Sequence, residues 1–225
     1  MNTKIYYPLF LSIALICVGY PSAVRADSGR SKLQYLFPSF ETGKIFMKSG
    51  GFYEVLLNYN TLTEEMVFDK NGTKMLLSSP DQVDSVYLQG KVFIYTGSAF
   101  YEVLLNAPIS AFIQHRSIII NEGTPIGYGA TSYSSQPVPI STYRSLYGAN
   151  YSLELTQKEY YVEPDPQYWI RKNNTYYIAN NTKDILRIFP EHAEEIKKYI
   201  KENKIKFSDP DNFIRLVQYL NKLIK

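Results

Sequence analysis

The chain has 225 residues, 45% of them hydrophobic and 20% charged, with a net charge of +3 and a single cysteine, Cys17. A charge this close to neutral argues against a nucleic-acid-binding protein, which concentrates basic residues to displace counterions from phosphate. Cys17 lies in the amino-terminal segment that we expect to be removed, so the mature chain has no cysteine for disulfide bonds or thiolate metal sites, and an apolar core must stabilise the fold. The length suits one good domain or two small ones.

Residues 1–26 have the three parts of a secretory signal peptide. Lys4 comes first, an uncharged apolar run follows, and Val24-Arg25-Ala26 offers a small-residue cleavage site. Cleavage there removes two basic residues and no acid, which lowers the net charge from +3 to +1. The apolar run is also about long enough to span a bilayer, so a retained anchor is the alternative. We expect a cleaved, exported chain that begins near Asp27, has no integral membrane span, and is periplasmic, cell-surface or extracellular.

The most specific feature of the mature chain is an internal repeat. Phe52-Tyr-Glu-Val-Leu-Leu-Asn58 recurs unchanged at 100–106, and upstream similarity extends the two copies to 43–58 and 90–106. Seven identical residues in order do not arise by chance. Each copy has a Gly-Lys pair, a strand-like run, a glycine-containing turn and a second strand-like run. The repeat therefore predicts a β-hairpin that is used twice.

Alternation along the second strand of each hairpin assigns its side chains to two faces. We expect the Tyr and Val residues of each copy in the core and the two glutamates, Glu54 and Glu102, on the wetter face. There each glutamate can pair with a lysine of the partner strand, Lys48 or Lys91 for instance. The alternative interpretation is a pair of carboxylates for general acid and base catalysis.

Short apolar runs separated by turn residues, such as Asn71-Gly72 and Asn173-Asn174, continue between and after the hairpins. They predict a mainly antiparallel β-meander, as a sheet, a sandwich or an open barrel, in a β-rich domain over 27–181. Within this domain, 122–150 is rich in Gly, Ser, Pro, Thr and Tyr and is too long for an ordinary connection. We interpret it either as a functional loop or as a partly disordered excursion.

Over 182–225 the apolar residues take the period of a helix. Thr182 is the expected cap of a first helix, Pro190 suits the first turn of a second, and 208–211 resembles a capping box before a third. The apolar stripes of these helices would leave a large patch in water if they packed on nothing. We therefore expect an α+β fold in which two to three C-terminal helices cover the β region.

The composition suggests a function at one point, an excess of aromatic residues between 128 and 177. Exposed together, such rings offer flat apolar faces with a polar tip, which suit a protein partner or a glycan. We predict an aromatic binding surface that includes Tyr128, Tyr133, Tyr143, Tyr147, Tyr168 and Trp169. Neighbouring residues of a strand point to opposite faces, so roughly half of the rings in this region are expected in the core.

The sequence contains no nucleophile elbow, no zinc-binding helix motif and no phosphate-binding glycine loop. A nucleophile would need a base beside it, and the histidines available are His115 and His192. We interpret His115 as a strand-end or surface residue and His192 as a solvated residue near a helix start. The sequence predicts no cofactor and no metal site.

Three passages carry a resemblance to other proteins: Leu57 to Phe68, Val92-Phe-Ile-Tyr95 with its following Tyr-Glu-Val-Leu, and Phe189 to Asn203. With them, most of the mature chain resembles a group of secreted proteins of Bacteroidetes-type bacteria that lack an assigned biochemical function. The resemblance implies a cell-envelope or extracellular location and supplies no catalytic residues. We expect a non-catalytic binding or structural module of the envelope, with an envelope protein or a glycan as its partner. The alternatives are a secreted hydrolase with an unrecognised site and an accessory subunit of an envelope complex.

Overall fold

The computed structural model describes residues 34–121, 124–126, 130–132 and 160–224. The predicted signal peptide and most of the segment 122–150 lie outside these residues. The predicted fold class is confirmed, because the chain forms a ten-stranded antiparallel meander sheet with three helices at its carboxy-terminal end.

The described residues contain fourteen strands: β1 (Glu41–Met47), β2 (Phe52–Asn60), β3 (Glu65–Lys70), β4 (Thr73–Leu76), β5 (Val83–Leu88), β6 (Lys91–Tyr95), β7 (Phe100–Leu105), β8 (Ser110–Gln114), β9 (Ser117–Asn121), β10 (Thr124–Ile126), β11 (Ala130–Ser132), β12 (Tyr160–Pro164), β13 (Gln167–Lys172) and β14 (Thr175–Ile178). The helices that follow are α1 (Thr182–Ile188), α2 (Ala193–Glu202) and α3 (Pro210–Leu223). The strand order of the large sheet is β14-β13-β8-β7-β6-β5-β1-β2-β3-β4. β9 pairs with β12, and β10 pairs with β11 inside the segment interpreted as a loop.

Tight turns set the hairpins at both ends of the large sheet. Asn71 and Gly72, between β3 and β4, have φ angles of 57° and 84°, and Asn173 and Asn174, between β13 and β14, have 51° and 61°. A two-residue turn that matches the twist of its strands needs a positive φ at both positions, which Asn and Gly adopt at little cost. Both turns lie where the sequence predicted them.

The large sheet has two faces, which we call face one, carrying Ile45 and Phe93, and face two, carrying Phe46 and Ile94. On face one the rings of Tyr59 and Phe93 stack with centroids 5.8 Å apart, although β1 and β5 lie between their strands. Strands in a sheet are spaced about 4.8 Å, so three intervals of a flat sheet would separate these residues by about 14 Å. The sheet is therefore curled toward face one.

Face one carries most of the core, in two parts, and a smaller cluster around Tyr101 and Phe112 lies on face two. The first part fills the curl of the early strands and includes Leu57, Tyr59, Met66, Val86 and Phe93. The second part joins β8 and β13 to the helices and includes Ile113, Ile170, Ile196, Phe213 and Leu216. The apolar stripe of α3 is fully buried at Phe213, Leu216, Val217 and Leu220. This burial confirms that the C-terminal helices pack on the sheet.

Two of the helices begin at side-chain caps. Asn181 has an extended backbone, and its side-chain oxygen accepts a hydrogen bond from the backbone N–H three residues later at 3.0 Å. Asn181 is therefore the cap of α1, one residue before the predicted Thr182. Within the predicted capping segment before α3, the cap is Asp209, which accepts from the backbone N–H of Asp211 at 2.9 Å. Such caps satisfy donors that have no partner inside the helix.

Both copies of the repeat form hairpins, β1–β2 and β6–β7. They lie on either side of β5, in the order β7-β6-β5-β1-β2, and β1 and β6 both run antiparallel to β5. A two-fold rotation about an axis along β5 brings the position of one hairpin onto that of the other. The same rotation exchanges the two faces of the sheet. Equivalent residues therefore point to opposite faces, Glu54 to face two and Glu102 to face one.

This rotation corrects the predicted face of the second copy, because Glu102, expected on the wetter face, lies on face one and is only 5% exposed. Tyr53 lies on face one as predicted, but it is beside the turn of its hairpin and is 62% exposed instead of buried. Glu54 is exposed and Tyr101 is buried, as predicted. Because the two glutamates lie on opposite faces, they do not form a pair of catalytic carboxylates.

Candidate functional site

Glu102 is the centre of a polar cluster on face one. One oxygen of its carboxylate lies 2.6 Å from Nε2 of His115, and the other lies 2.7 Å from Nζ of Lys91. The three side chains meet because β6 begins at Lys91, β7 carries Glu102, and His115 directly follows β8. The His115 ring lies against Tyr59 and Phe93, with centroid distances of 6.4 and 6.3 Å. His115 is therefore at the end of a strand, one of the two positions expected for it, and its side chain is mostly buried.

The electrostatics of this cluster favour an ionised carboxylate. Burial would raise the pKa of Glu102, but the hydrogen bonds from His115 and Lys91 outweigh burial and hold the pKa below its usual value. The Lys91 ammonium is partly exposed, so it supplies the opposite charge without being fully desolvated. Each carboxylate oxygen already has a partner inside the protein, an arrangement typical of a satisfied buried ion pair.

A second polar chain joins the β2–β3 turn to β8 and β13. Glu64 accepts a hydrogen bond from the side chain of Gln114, whose own oxygen accepts from the indole N–H of Trp169 at 2.8 Å. Burial raises the pKa of Glu64, and this rise is partly offset by the hydrogen bond from Gln114 and the charge of Arg116. The polar atom of Trp169 is therefore engaged within the protein.

The aromatic residues predicted to form a binding surface do not do so where the structure describes them. Tyr168 is buried against Phe213 of α3, with centroids 4.8 Å apart, and burial raises its pKa to about 12. Trp169 points to the other face and packs on Tyr101 at 5.3 Å. Helix packing explains the burial of Tyr168, which is therefore removed from the predicted surface. The other four residues, Tyr128, Tyr133, Tyr143 and Tyr147, lie outside the described residues.

Two exposed aromatic rings lie on face two of the adjacent strands β2, β1 and β5. Phe52 is 54% exposed and Tyr87 is 48% exposed. Both rings contact Phe46, with centroids 5.5 and 5.1 Å away. Phe46 lies between them because β1 has β2 on one side and β5 on the other. We call Phe46, Phe52 and Tyr87 the aromatic platform.

A pair of charged residues lies beside the aromatic platform. Lys44 and Glu54 are direct cross-strand neighbours on face two, with Nζ 3.6 Å from the carboxylate and both side chains about half exposed. The same Nζ is 5.3 Å from the centroid of the Phe52 ring. A shallow depression of about 490 Å³, lined in part by Lys44, Glu54, Tyr87 and Lys91, adjoins the rings. One ligand can therefore touch aromatic and charged groups together.

The sequence contains part of the signal for this platform. Alternation places Phe52 on the same face as Glu54, which was the face expected to be wetter, so an exposed ring was implied there. The excess of tyrosine in the later segment pointed elsewhere. Tyr87 joins the platform only because β5 pairs with β1, and this long-range pairing has no local sequence signal.

Comparison with known proteins adds nothing to this geometry, since no protein-family model, curated protein or solved structure matches the chain. The resemblance to secreted bacterial proteins stays a prediction. In the part of the chain that the structure describes, no helix is both long and apolar enough to cross a bilayer. Over the same residues, no group of three or more His, Cys, Asp and Glu side chains is placed to hold a metal ion.

Proposed function

We propose that the chain is an exported, non-catalytic binding module of the cell envelope, and that the aromatic platform is its binding surface. The observation that carries this proposal is the exposure of Phe52 and Tyr87 on face two, away from the larger part of the core on face one. Burying apolar surface is favourable by about 25 cal/mol per Å², so these rings gain free energy from a partner that covers them. Aromatic residues are also enriched in binding interfaces.

The position of the platform within the sheet supports the same proposal. Its rings come from three adjacent strands, which hold them in fixed positions before any partner arrives. A Cβ atom at Gly43 would lie 2.8 Å from both the backbone oxygen of Tyr87 and the side chain of Leu57, so glycine permits the close approach of β1 and β5. A surface fixed in advance loses less entropy on binding than a loop that must become ordered.

A secreted hydrolase is the second candidate, and the hydrogen bond between Glu102 and His115 is the observation that favours it. A carboxylate and the histidine that it orients are two of the three members of a catalytic triad. The third member is a nucleophile, and among the described residues no serine or threonine hydroxyl is hydrogen-bonded to His115. Packing of the histidine ring against Tyr59 and Phe93 also favours a structural role. We therefore place binding before hydrolysis.

Sedimentation with envelopes from the exporting cells tests the binding surface. We expect the wild-type chain to co-sediment and the double variant Phe52→Ser/Tyr87→Ser to bind at least about tenfold more weakly, as on removal of central interface residues. Tyr53→Ser is the matched control, since Tyr53 follows Phe52 on the same strand, is similarly exposed and points to face one. Equal binding of all three folded proteins, or no binding by the wild type, would contradict the proposal.

Amino-terminal sequencing of the exported protein tests the proposed export. We expect the mature chain to begin at or near Asp27, after the small-residue cleavage site. An intact Met1 in membrane-bound material would instead indicate a retained anchor.

A further inference from the structure

We infer that the ligand of the aromatic platform is a saccharide chain. This inference rests on the proposed binding function and names the class of its ligand. It follows from three properties of the surface around Phe52 and Tyr87: the charged pair beside the rings, the pairing of the strands that carry them, and the shape of the adjoining depression.

The charged pair selects a ligand that carries many hydroxyl groups. Lys44 and Glu54 contact each other at 3.6 Å and remain about half exposed beside the ring of Phe52. A hydrocarbon surface or a dry protein interface would desolvate both charges, and that cost can exceed their mutual attraction. A sugar ring instead presents an apolar face of C–H groups to an aromatic ring, while its hydroxyls hydrogen-bond to the ammonium and the carboxylate. It can therefore cover the rings without stripping the charges of polar partners.

The strand order argues against an extended peptide as the ligand. Peptides that bind to sheets commonly add a strand at an edge, where backbone N–H and C=O groups are unpaired. β1, β2 and β5, which carry the platform, each have a hydrogen-bonded strand on both sides. Recognition on this surface must therefore use side chains alone.

The shape of the site favours a chain of sugars over an enclosed small molecule. The depression of about 490 Å³ is shallow, and it runs beside the platform from Lys44 and Glu54 toward Gly90 and Lys91 at the start of β6. Its volume is within the usual range for small ligands, about 300–1,000 Å³, but it does not enclose its contents. An oligosaccharide can lie along it with one unit on the rings and the next over Lys44 and Glu54.

Selective treatment of the envelopes tests this inference. The wild-type chain is sedimented with untreated envelopes, with envelopes oxidised by periodate, which cleaves the vicinal diols of sugars, and with envelopes digested by protease. We expect periodate to weaken binding at least about tenfold, protease to leave it unchanged, and polysaccharide released from the same envelopes to compete. Loss after protease alone would indicate a protein partner, and binding that survives both treatments would indicate a lipid.

A variant of the charged pair gives a second test. Its affinity is expected to fall for a saccharide and to rise for a dry protein or lipid partner. In Lys44→Met/Glu54→Gln we expect polysaccharide binding to weaken about tenfold, because the ammonium is lost and the carboxylate is replaced by a weaker, uncharged acceptor. A dry protein or lipid partner would bind this variant more tightly, since no charge is left to desolvate. If Phe52→Ser/Tyr87→Ser abolishes binding but periodate does not, the binding function stands and the saccharide is overturned. If that platform variant binds like the wild type, both are overturned.

Discussion

The two hairpins of the repeat share seven identical residues and place them in opposite environments. Phe52 is 54% exposed, whereas its counterpart Phe100 is buried in the core at 2%. Glu54 forms a solvated pair with Lys44, and Glu102 forms a buried pair with Lys91. The local sequence specifies a strand in both cases, but the side of β5 on which each hairpin lies decides which residues are covered.

One heptapeptide can occupy both environments because it is apolar on both faces. Phe52 and Leu56 alternate with Tyr53 and Val55, and a single glutamate interrupts the first set. A strand of this kind does not specify which of its faces is buried, since a reversal of faces still covers large apolar groups. The result is one hairpin that supplies core rings and another that supplies exposed ones.

The largest contrast is expected between the two tyrosines of the repeat. Tyr101 is buried and contacts the rings of Trp169 and Tyr176 at 5.3 and 6.1 Å. Tyr101→Ala should lower the free energy of unfolding by about 3–5 kcal/mol, the usual cost of removing a buried aromatic ring. Tyr53→Ala should change it by less than about 0.5 kcal/mol, as at other exposed positions. Urea denaturation of both variants measures the difference, and equal losses would mean that the first hairpin is covered as fully as the second.

The helices cover the part of the sheet that contains the second hairpin, and α3 contacts β7 and β8. Leu216 is fully buried in this contact, so Leu216→Ala should cost about 2–5 kcal/mol. Ile224→Ala, at an exposed position beyond the same helix, is the control. Thermal melting checks both variants. An unchanged midpoint for Leu216→Ala, with 183–225 removable by protease and the β region still folded, would show that the helices are an independent tail.

The two glutamates of the repeat should differ in their effect on the free energy of unfolding, but by less than the two tyrosines do. Glu102→Ala leaves His115 and Lys91 without their shared acceptor, and we expect it to cost about 1–3 kcal/mol. Glu54→Ala breaks only a solvated pair and should cost less than about 1 kcal/mol. Urea denaturation at neutral pH measures both changes. A larger loss for Glu54→Ala would mean that the buried cluster does not stabilise the fold.

The contribution of Glu102 to the free energy of unfolding should also depend on pH. Because its pKa is lower in the folded chain than the usual value of about 4.3, its pairing stabilises the fold above that value and is lost as the pH falls through the folded pKa. The stability difference between wild type and Glu102→Gln should therefore be present at pH 7 and shrink below about pH 4. Unfolding curves at several pH values measure it. A difference that is constant with pH would show that the carboxylate is not preferentially ionised in the folded state.

The fold was more accessible to sequence analysis than the candidate site, and the reason is physical. Turn residues such as Asn71-Gly72 and the apolar stripe of α3 are local signals, and both were placed correctly. The cluster of Glu102 and His115 depends on the curl of the sheet, and the platform depends on the pairing of β5 with β1. Alternation gives the period of a strand but not the side of the sheet, so the same rule that found the hairpins misassigned the face of Glu102.

Only a small effect on stability is expected at Phe52, a residue with a large proposed effect on binding. Phe52 loses one ring contact with Phe46 and one contact with Lys44 when it becomes serine, and both contacts are exposed. Phe52→Ser should therefore change the free energy of unfolding by at most about 1 kcal/mol. The same variant should bind envelopes measurably less than Tyr53→Ser does, because the ring is accessible on face two. Urea denaturation and sedimentation on one preparation measure both quantities. If Phe52→Ser instead unfolds the chain, the ring is a structural part of the sheet, and its exposure is no longer an argument for a partner.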